Sequence, residues 1–187
     1  DGARLPIQAY QQVTNEYLVP HSTAKFTRHL RDSYMVGALA RFNNNYNQLH
    51  PRAKEAAAAL GMKPKVTNPY LNSAAQVVEI VHCFEDALQI IDQLLTLGVR
   101  PEELVPPARS SGEGVGSCEV PRGILFHHYW IGEDGKLTGA NCIIPTNQNI
   151  ANLQEDMRAL VPQIAHKPKE ALQLDLEMLV RAYDPCI

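Results

Sequence analysis

The sequence predicts an α+β fold that is mostly helical, with one long core helix and a β-hairpin. Three observations carry this. From Ala74 to Leu97, apolar residues at Val77, Ile80, Val81, Phe84, Leu88, Ile91 and Leu95 form one stripe, with Glu79, Asp86 and Gln93 opposite. Asp134-Gly135 is a strong hairpin signal, and apolar runs flank it on both sides. Pro168 opens a stretch with Leu172, Leu176, Leu179 and Val180 at helical spacing, and Asp184-Pro185 ends it.

The elements follow in order. Residues 1–20 are mixed, with Pro6 and Pro20 as punctuation, and predict a loop-rich entry with a short helix. Ser22 or Thr23 can cap a helix ahead of the basic residues Lys25, Arg28, His29 and Arg31. Met35, Ala38, Leu39 and Phe42 recur at helical spacing between Ser33 and Asn47, and Asn43-Asn44-Asn45 weakens that helix. Pro51 begins an alanine-rich helix over Arg52 to Leu60, with Gly61 as its stop. Lys63 to Pro69 is a linker. Asn72-Ser73 opens the long helix, which is expected to cross the core; Gly98 closes it and Pro101 prevents its resumption. Pro101 to Pro107 is a breaker cluster. Gly123 to Ile131 and Leu137 to Ile144 are the strands of the hairpin. Asn147-Gln148-Asn149 is a polar turn that can cap a helix over Ile150 to Val161, and the last helix runs from Pro168 to about Ala182.

The chain has 187 residues, so one domain over 1–187 with a real core is expected. Its 45% hydrophobic and 20% charged content is that of an ordinary globular protein. A net charge of -3 and the lack of a basic run exclude bulk nucleic-acid binding. No stretch is apolar for long enough to span a bilayer. Cys83, Cys118, Cys142 and Cys186 form no CxxC pair, which suggests reduced thiols and a cytoplasmic setting. The chain opens on Asp1 and stops one residue past Cys186, so both ends are expected to be cut from a longer polypeptide.

Chemistry concentrates in Ser110 to Arg122, where Gly112, Gly114 and Gly116 alternate before Glu119, Pro121 and Arg122. By spacing alone this is a tight structural loop sooner than a ligand cradle: it follows no strand and lacks the Gly-Lys-Ser/Thr of a phosphate loop. Arg122 at its exit can present a fixed cation to whatever the loop encloses. His127 and His128 sit on a strand and point to opposite faces, so one is expected buried with a partner and the other nearer solvent. Cys83 and Cys142 read as core residues, and Cys118 as an exposed loop thiol. Cys186, after a helix-ending Asp-Pro, suits a soft metal, yet one thiolate is not a site, and by spacing alone it reads as an inert terminal cysteine.

Three motifs carry a resemblance to a known family. Glu119-Val-Pro-Arg-Gly resembles the Glu-x-Pro-Arg-Gly signature of the large subunit of [NiFe] hydrogenases. Pro145-Thr146, in Ile143 to Asn149, is similar to that family's Pro-Thr/Ser segment. Asp184-Pro185-Cys186 resembles the start of its C-terminal Asp-Pro-Cys-x-x-Cys motif, and Asn68-Pro-Tyr-Leu-Asn-Ser agrees. The wording after Arg122 is nearest the cytoplasmic branch, whose partners handle NAD or F420. The resemblance implies reversible splitting of dihydrogen into protons and electrons at a nickel held by four thiolates and bridged to an iron carrying cyanide and carbon monoxide. It implies Cys186 as a terminal nickel ligand, Pro121 and Arg122 above the iron, Arg122 and Thr146 as donors to the cyanides, and Asp184 as the partner of Arg122. It also implies an iron–sulfur small subunit as a partner.

The family's N-terminal Cys-x-x-Cys and the second cysteine of its C-terminal motif are absent from these residues. The chain alone is therefore expected to bind no complete cluster and to be inactive. Two rivals remain: the metal-free quinone-site subunit relative of complex I, against which Arg122 and Asp184-Pro185-Cys186 speak, and a non-catalytic interaction domain whose glycine loop contacts a partner; a free fragment is also expected to self-associate through surface that the rest of its parent covers.

Overall fold

The computed structural model describes residues 4–29, 33–106 and 110–186. Asp1, Arg31 and Pro107, named above, lie outside the described residues. The chain divides into two compact units, Asp1–Gly37 with Ser110–Ile187, and Ala38–Arg109.

The first unit opens with a 3-10 helix, Ile7–Gln12, the short helix expected near the start. Two short strands follow, β1 (Asn15–Tyr17) and β2 (Phe26–Arg28), paired antiparallel. Among the described residues no helix starts at Ser22-Thr23; Phe26 and Thr27 are buried there as strand residues. β3 (Gly112–Val120), β4 (Gly123–Ile131) and β5 (Leu137–Ile143) make an antiparallel three-stranded sheet in that order. The β4–β5 hairpin is the one expected. The glycine-rich stretch, expected as a loop, is instead β3, fully in register with β4 from Gly112 opposite Ile131 to Val120 opposite Gly123. Its residues are mostly exposed, so the ladder and not a buried face holds it. Tyr10 stacks on Phe126 at 5.4 Å and, with Ile143, forms the core against one face of the sheet.

Two helices complete this unit. α4 (Pro145–Ile164) starts with Pro145 at its first turn, not at Ile150, so the polar residues expected as a turn lie inside it. α5 (Lys169–Tyr183) follows Pro168 and stops at Asp184, whose φ of 49° is left-handed. Asp tolerates that conformation, and Pro185 bars any continuation. α4 packs against β2 and α5.

The second unit is a helical hairpin with a third helix on it. α1 (Ala38–Asn45) ends at the asparagine run, as its poor propensity predicts. α2 (Pro51–Ala59) is stopped where expected: Met62 N–H reaches back to the Ala57 carbonyl at 2.9 Å, just past Gly61. α3 (Asn72–Leu97) is the long helix, closed at Gly98. Arg41 on α1 makes a two-point contact with Glu79 on α3 at 2.5 and 2.8 Å. Only Asn72, Ala75 and Val78 of α3 are buried. The expectation that α3 crosses the core is therefore corrected: beyond Val78 its stripe is uncovered, with Phe84 69% and Leu95 78% exposed.

Candidate active site

The site is built on the β3–β4 connection. Val120 pairs with Gly123, so the strands are joined by two residues only, Pro121 and Arg122. Gly123 is required there. Its φ is +142°, and a Cβ would stand 2.4 Å from Val36 Cγ2 and 3.3 Å from Pro145 Cβ.

Arg122 leaves this turn toward the end of α5. Its Nε donates to the Asp184 carbonyl at 2.6 Å and its Nη2 donates to Asp184 Oδ1 at 3.0 Å. The left-handed Asp184 turns both acceptors to the same side, so a planar guanidinium meets them with two bonds. Two residues on, the Cys186 N–H donates to Thr146 Oγ1 at 3.2 Å. Thr146 is buried in the first turn of α4, and accepting this bond leaves its own hydroxyl proton to donate elsewhere. The Cys186 side chain is exposed.

Three segments far apart in sequence thus meet: the 121–122 turn, the first turn of α4 and residues 184–186. Arg122, Asp184, Thr146 and Cys186 are linked by the bonds just named, and Pro121 forms the turn with Arg122. Asp184 is additionally anchored through its neighbour: Tyr183 donates to Asp156 Oδ2 at 2.6 Å and accepts from Asn152 at 2.5 Å. Burial, then the bond and the charge of Asp156, push the Tyr183 phenol pKa well above its ordinary value.

The chain matches the nickel-dependent hydrogenase family over residues 8–187. It belongs to that family. It is 37% identical, over its whole length, to the alpha subunit of sulfhydrogenase 1 from Pyrococcus furiosus, and spans 43% of that relative. It is 33% identical, over 83% of its length, to the beta subunit of the NAD-reducing hydrogenase HoxS from Cupriavidus necator, of which it spans 33%. In structure it is similar to an NAD+-reducing [NiFe]-hydrogenase in the H2-reduced state, with a TM-score of 0.81 at 27% identity, covering 96% of this chain and 42% of the other. The fold expected from the sequence is the fold of this family.

A nickel-dependent family implies a metal centre, and the donor set here can be tested against it. Among the described residues no three His, Cys, Asp or Glu side chains group as metal ligands. What this corner offers is a thiol, a guanidinium fixed by Asp184 and a buried hydroxyl, which suits one edge of an anionic, thiolate-held metal group.

The remaining candidates fall elsewhere. His128 is buried, with Nδ1 3.1 Å from the Tyr10 hydroxyl and Nε2 2.8 Å from Glu113, while His127 on the other face is only half-buried; this is the division expected. His127 Nδ1 meets the Tyr129 hydroxyl at 2.5 Å, and the hydrogen bond with Cys142, first among its causes, raises the Tyr129 pKa. Cys142 is half-buried, not fully core. Cys83 is exposed because its helix face is uncovered, and Cys118 is exposed on β3.

Sequence reasoning overlooked Gln148 and Asn149 as part of the corner. Both are buried. Gln148 Nε2 donates to the Ile124 carbonyl at 2.6 Å. Asn149 Oδ1 accepts from Val36 N–H at 2.8 Å and its Nδ2 donates to the Arg122 carbonyl at 3.4 Å. The available signal was their position two and three residues past Thr146 of the Pro145-Thr146 pair.

Proposed function

We propose that this chain is part of the large subunit of a [NiFe] hydrogenase that reversibly oxidises dihydrogen to protons and electrons. The observation that carries this is the two-point bond of Arg122 to Asp184 beside Cys186, whose backbone is tied to Thr146. In this reading Cys186 supplies one of four thiolates to nickel. Arg122 and Thr146 donate hydrogen bonds to the cyanides of an iron that also carries carbon monoxide. The bound group would supply a Lewis acid that polarises dihydrogen.

The chain's own residues do the rest. Asp184 holds the guanidinium plane, so the positive charge is in place before any negative charge develops nearby. Arg122 is an electrostatic donor and not a resting base, because a guanidinium keeps its proton. Pro121 fixes one backbone angle of the turn that aims Arg122. The reading places the protein in the cytoplasm, with an iron–sulfur small subunit and NAD- or F420-handling subunits as partners. That setting is supported by the motif resemblance and by relatives named as NAD-reducing and sulfhydrogenase subunits. No described helix is long and apolar enough to cross a membrane.

The test is anaerobic purification of the polypeptide containing this chain, with its small subunit, followed by nickel analysis and dihydrogen-dependent reduction of a viologen dye. Nickel near one per subunit and dye reduction are expected. Arg122→Lys should lower kcat by about 10²-fold, in the range of losing one preorganised donor, with nickel content unchanged. The isolated chain should show neither stoichiometric nickel nor dihydrogen uptake. An assembled protein without nickel, or Arg122→Lys at the unaltered rate, overturns the proposal.

A further inference from the structure

The turn that carries Arg122 is unfavourable by itself. Two-residue hairpin loops prefer turns with positive φ at one or both central residues, because only those match the twist of the strands. Pro121 cannot supply that, since its ring fixes φ negative. Arg122 does not supply it either: the non-glycine residues with positive φ among those described are Lys65 and Asp184. Something outside the hairpin must hold the turn. Gln148 grips the Ile124 carbonyl at 2.6 Å, just past the turn. Asn149 joins two segments at once, taking the Val36 N–H at 2.8 Å and giving its amide proton to the Arg122 carbonyl at 3.4 Å. A Cβ on Gly37 would stand 3.2 Å from the same carbonyl oxygen, so the peptide is packed as well as bonded.

We infer that Asn149, with Gln148, is a positioning residue: it sets the Arg122 backbone so that the guanidinium reaches both acceptors of Asp184. The inference rests on the function proposed above for its catalytic meaning, but its geometry is testable without metal. Asn149→Asp keeps the acceptor for Val36 and removes the donor to Arg122. Gln154→Glu makes the same amide-to-acid change elsewhere on α4 and is the control.

Hydrogen exchange of the Arg122 Nε–H is read by NMR in the full 187-residue chain. Asn149→Asp should speed it by about fivefold or more, as release of a local closed state requires, and Gln154→Glu should not. In the unaltered chain, which is measured even if the variant fails to fold, the Asn149 side-chain amide and the Arg122 Nε–H should show protection factors, each rate referred to the intrinsic rate of its own group, within about fivefold of each other because they open together. A smaller effect of Asn149→Asp, an equal effect of the control, or unlinked rates in the unaltered chain overturns the inference. None of these readings depends on activity, so an inactive enzyme with linked exchange refutes the proposed function and leaves the positioning role standing.

Discussion

The corner around Arg122 and the distal half of α3 are opposite kinds of surface. At the corner, polar groups are answered from within the chain: Arg122 by Asp184, the Cys186 N–H by Thr146, and the Arg122 carbonyl by Asn149. Along α3 beyond Val78 no residue is buried, and Phe84, Leu88, Ile91 and Leu95 lie open on one stripe. The difference is one of what each interaction needs. A hydrogen bond is complete with two correctly placed atoms, whereas apolar burial needs area, roughly in proportion to the free energy gained. A helical stripe therefore says that a helix has a side to bury, and does not say that the same chain supplies the cover. Here the chain spans 43% of the length of its Pyrococcus furiosus relative.

The largest effect expected from breaking the first region is Gly123→Ala. The new Cβ would meet Val36 Cγ2 at 2.4 Å in a backbone conformation, φ +142°, that alanine rarely adopts. Overpacking and strain together should cost about 3 kcal/mol, read as a lowered urea midpoint with unchanged slope. A midpoint shift worth under about 1 kcal/mol would mean that the turn yields, and the corner is less rigid than its bonds suggest.

The second region is tested by charging it. An open apolar stripe of this length should make the free chain self-associate. Leu88→Glu with Leu95→Glu should lower the association constant about tenfold, which is about 1.4 kcal/mol, with stability of the fold changed by no more than about 0.5 kcal/mol. Light scattering across concentrations reads this directly. An unaltered chain that stays monomeric throughout would sink the idea, and a large loss of stability in the variant would show that the stripe is covered from within.

This contrast also explains what could be read in the sequence. The β4–β5 hairpin was legible because Asp134-Gly135 and its flanking apolar runs are local signals. The stops at Gly61 and Gly98 were legible for the same reason. The pairing of Arg122 with Asp184 came from motif resemblance, since nothing local links residues 62 positions apart. β3 was missed because Gly112 to Val120 has no buried alternation; its partner strand holds it. β1 and β2, three residues each, are too short for a period to register. The start of α4 was placed late because Gln148 and Asn149 resemble surface turn residues, and their burial against the Arg122 turn is tertiary information. Cys83 was assigned to a core on the same stripe logic that failed for α3.

The smallest effect sharpens the corner from its other side. Tyr183→Phe removes the bonds to Asp156 and Asn152 beside Asp184 and should cost about 1 kcal/mol at neutral pH. Its pH dependence is the more telling readout. The folded phenol holds its proton above the ordinary value, by burial first and then by Asp156. Above about pH 10 the unfolded chain releases a proton that the folded chain keeps, so the unfolded state binds fewer protons and stability falls as pH rises. This contribution is fully present below that pH. Replacing Tyr183 by Phe should therefore make the alkaline decline shallower, even as it lowers stability at pH 7. The decline that survives belongs in part to Tyr34, whose phenol burial also raises, with Thr27 opposing. A variant whose stability falls as steeply between pH 10 and 12 as the unaltered chain would mean that Tyr183 opens to water, and that Asp184 is held to Arg122 without help from the α4–α5 bond network.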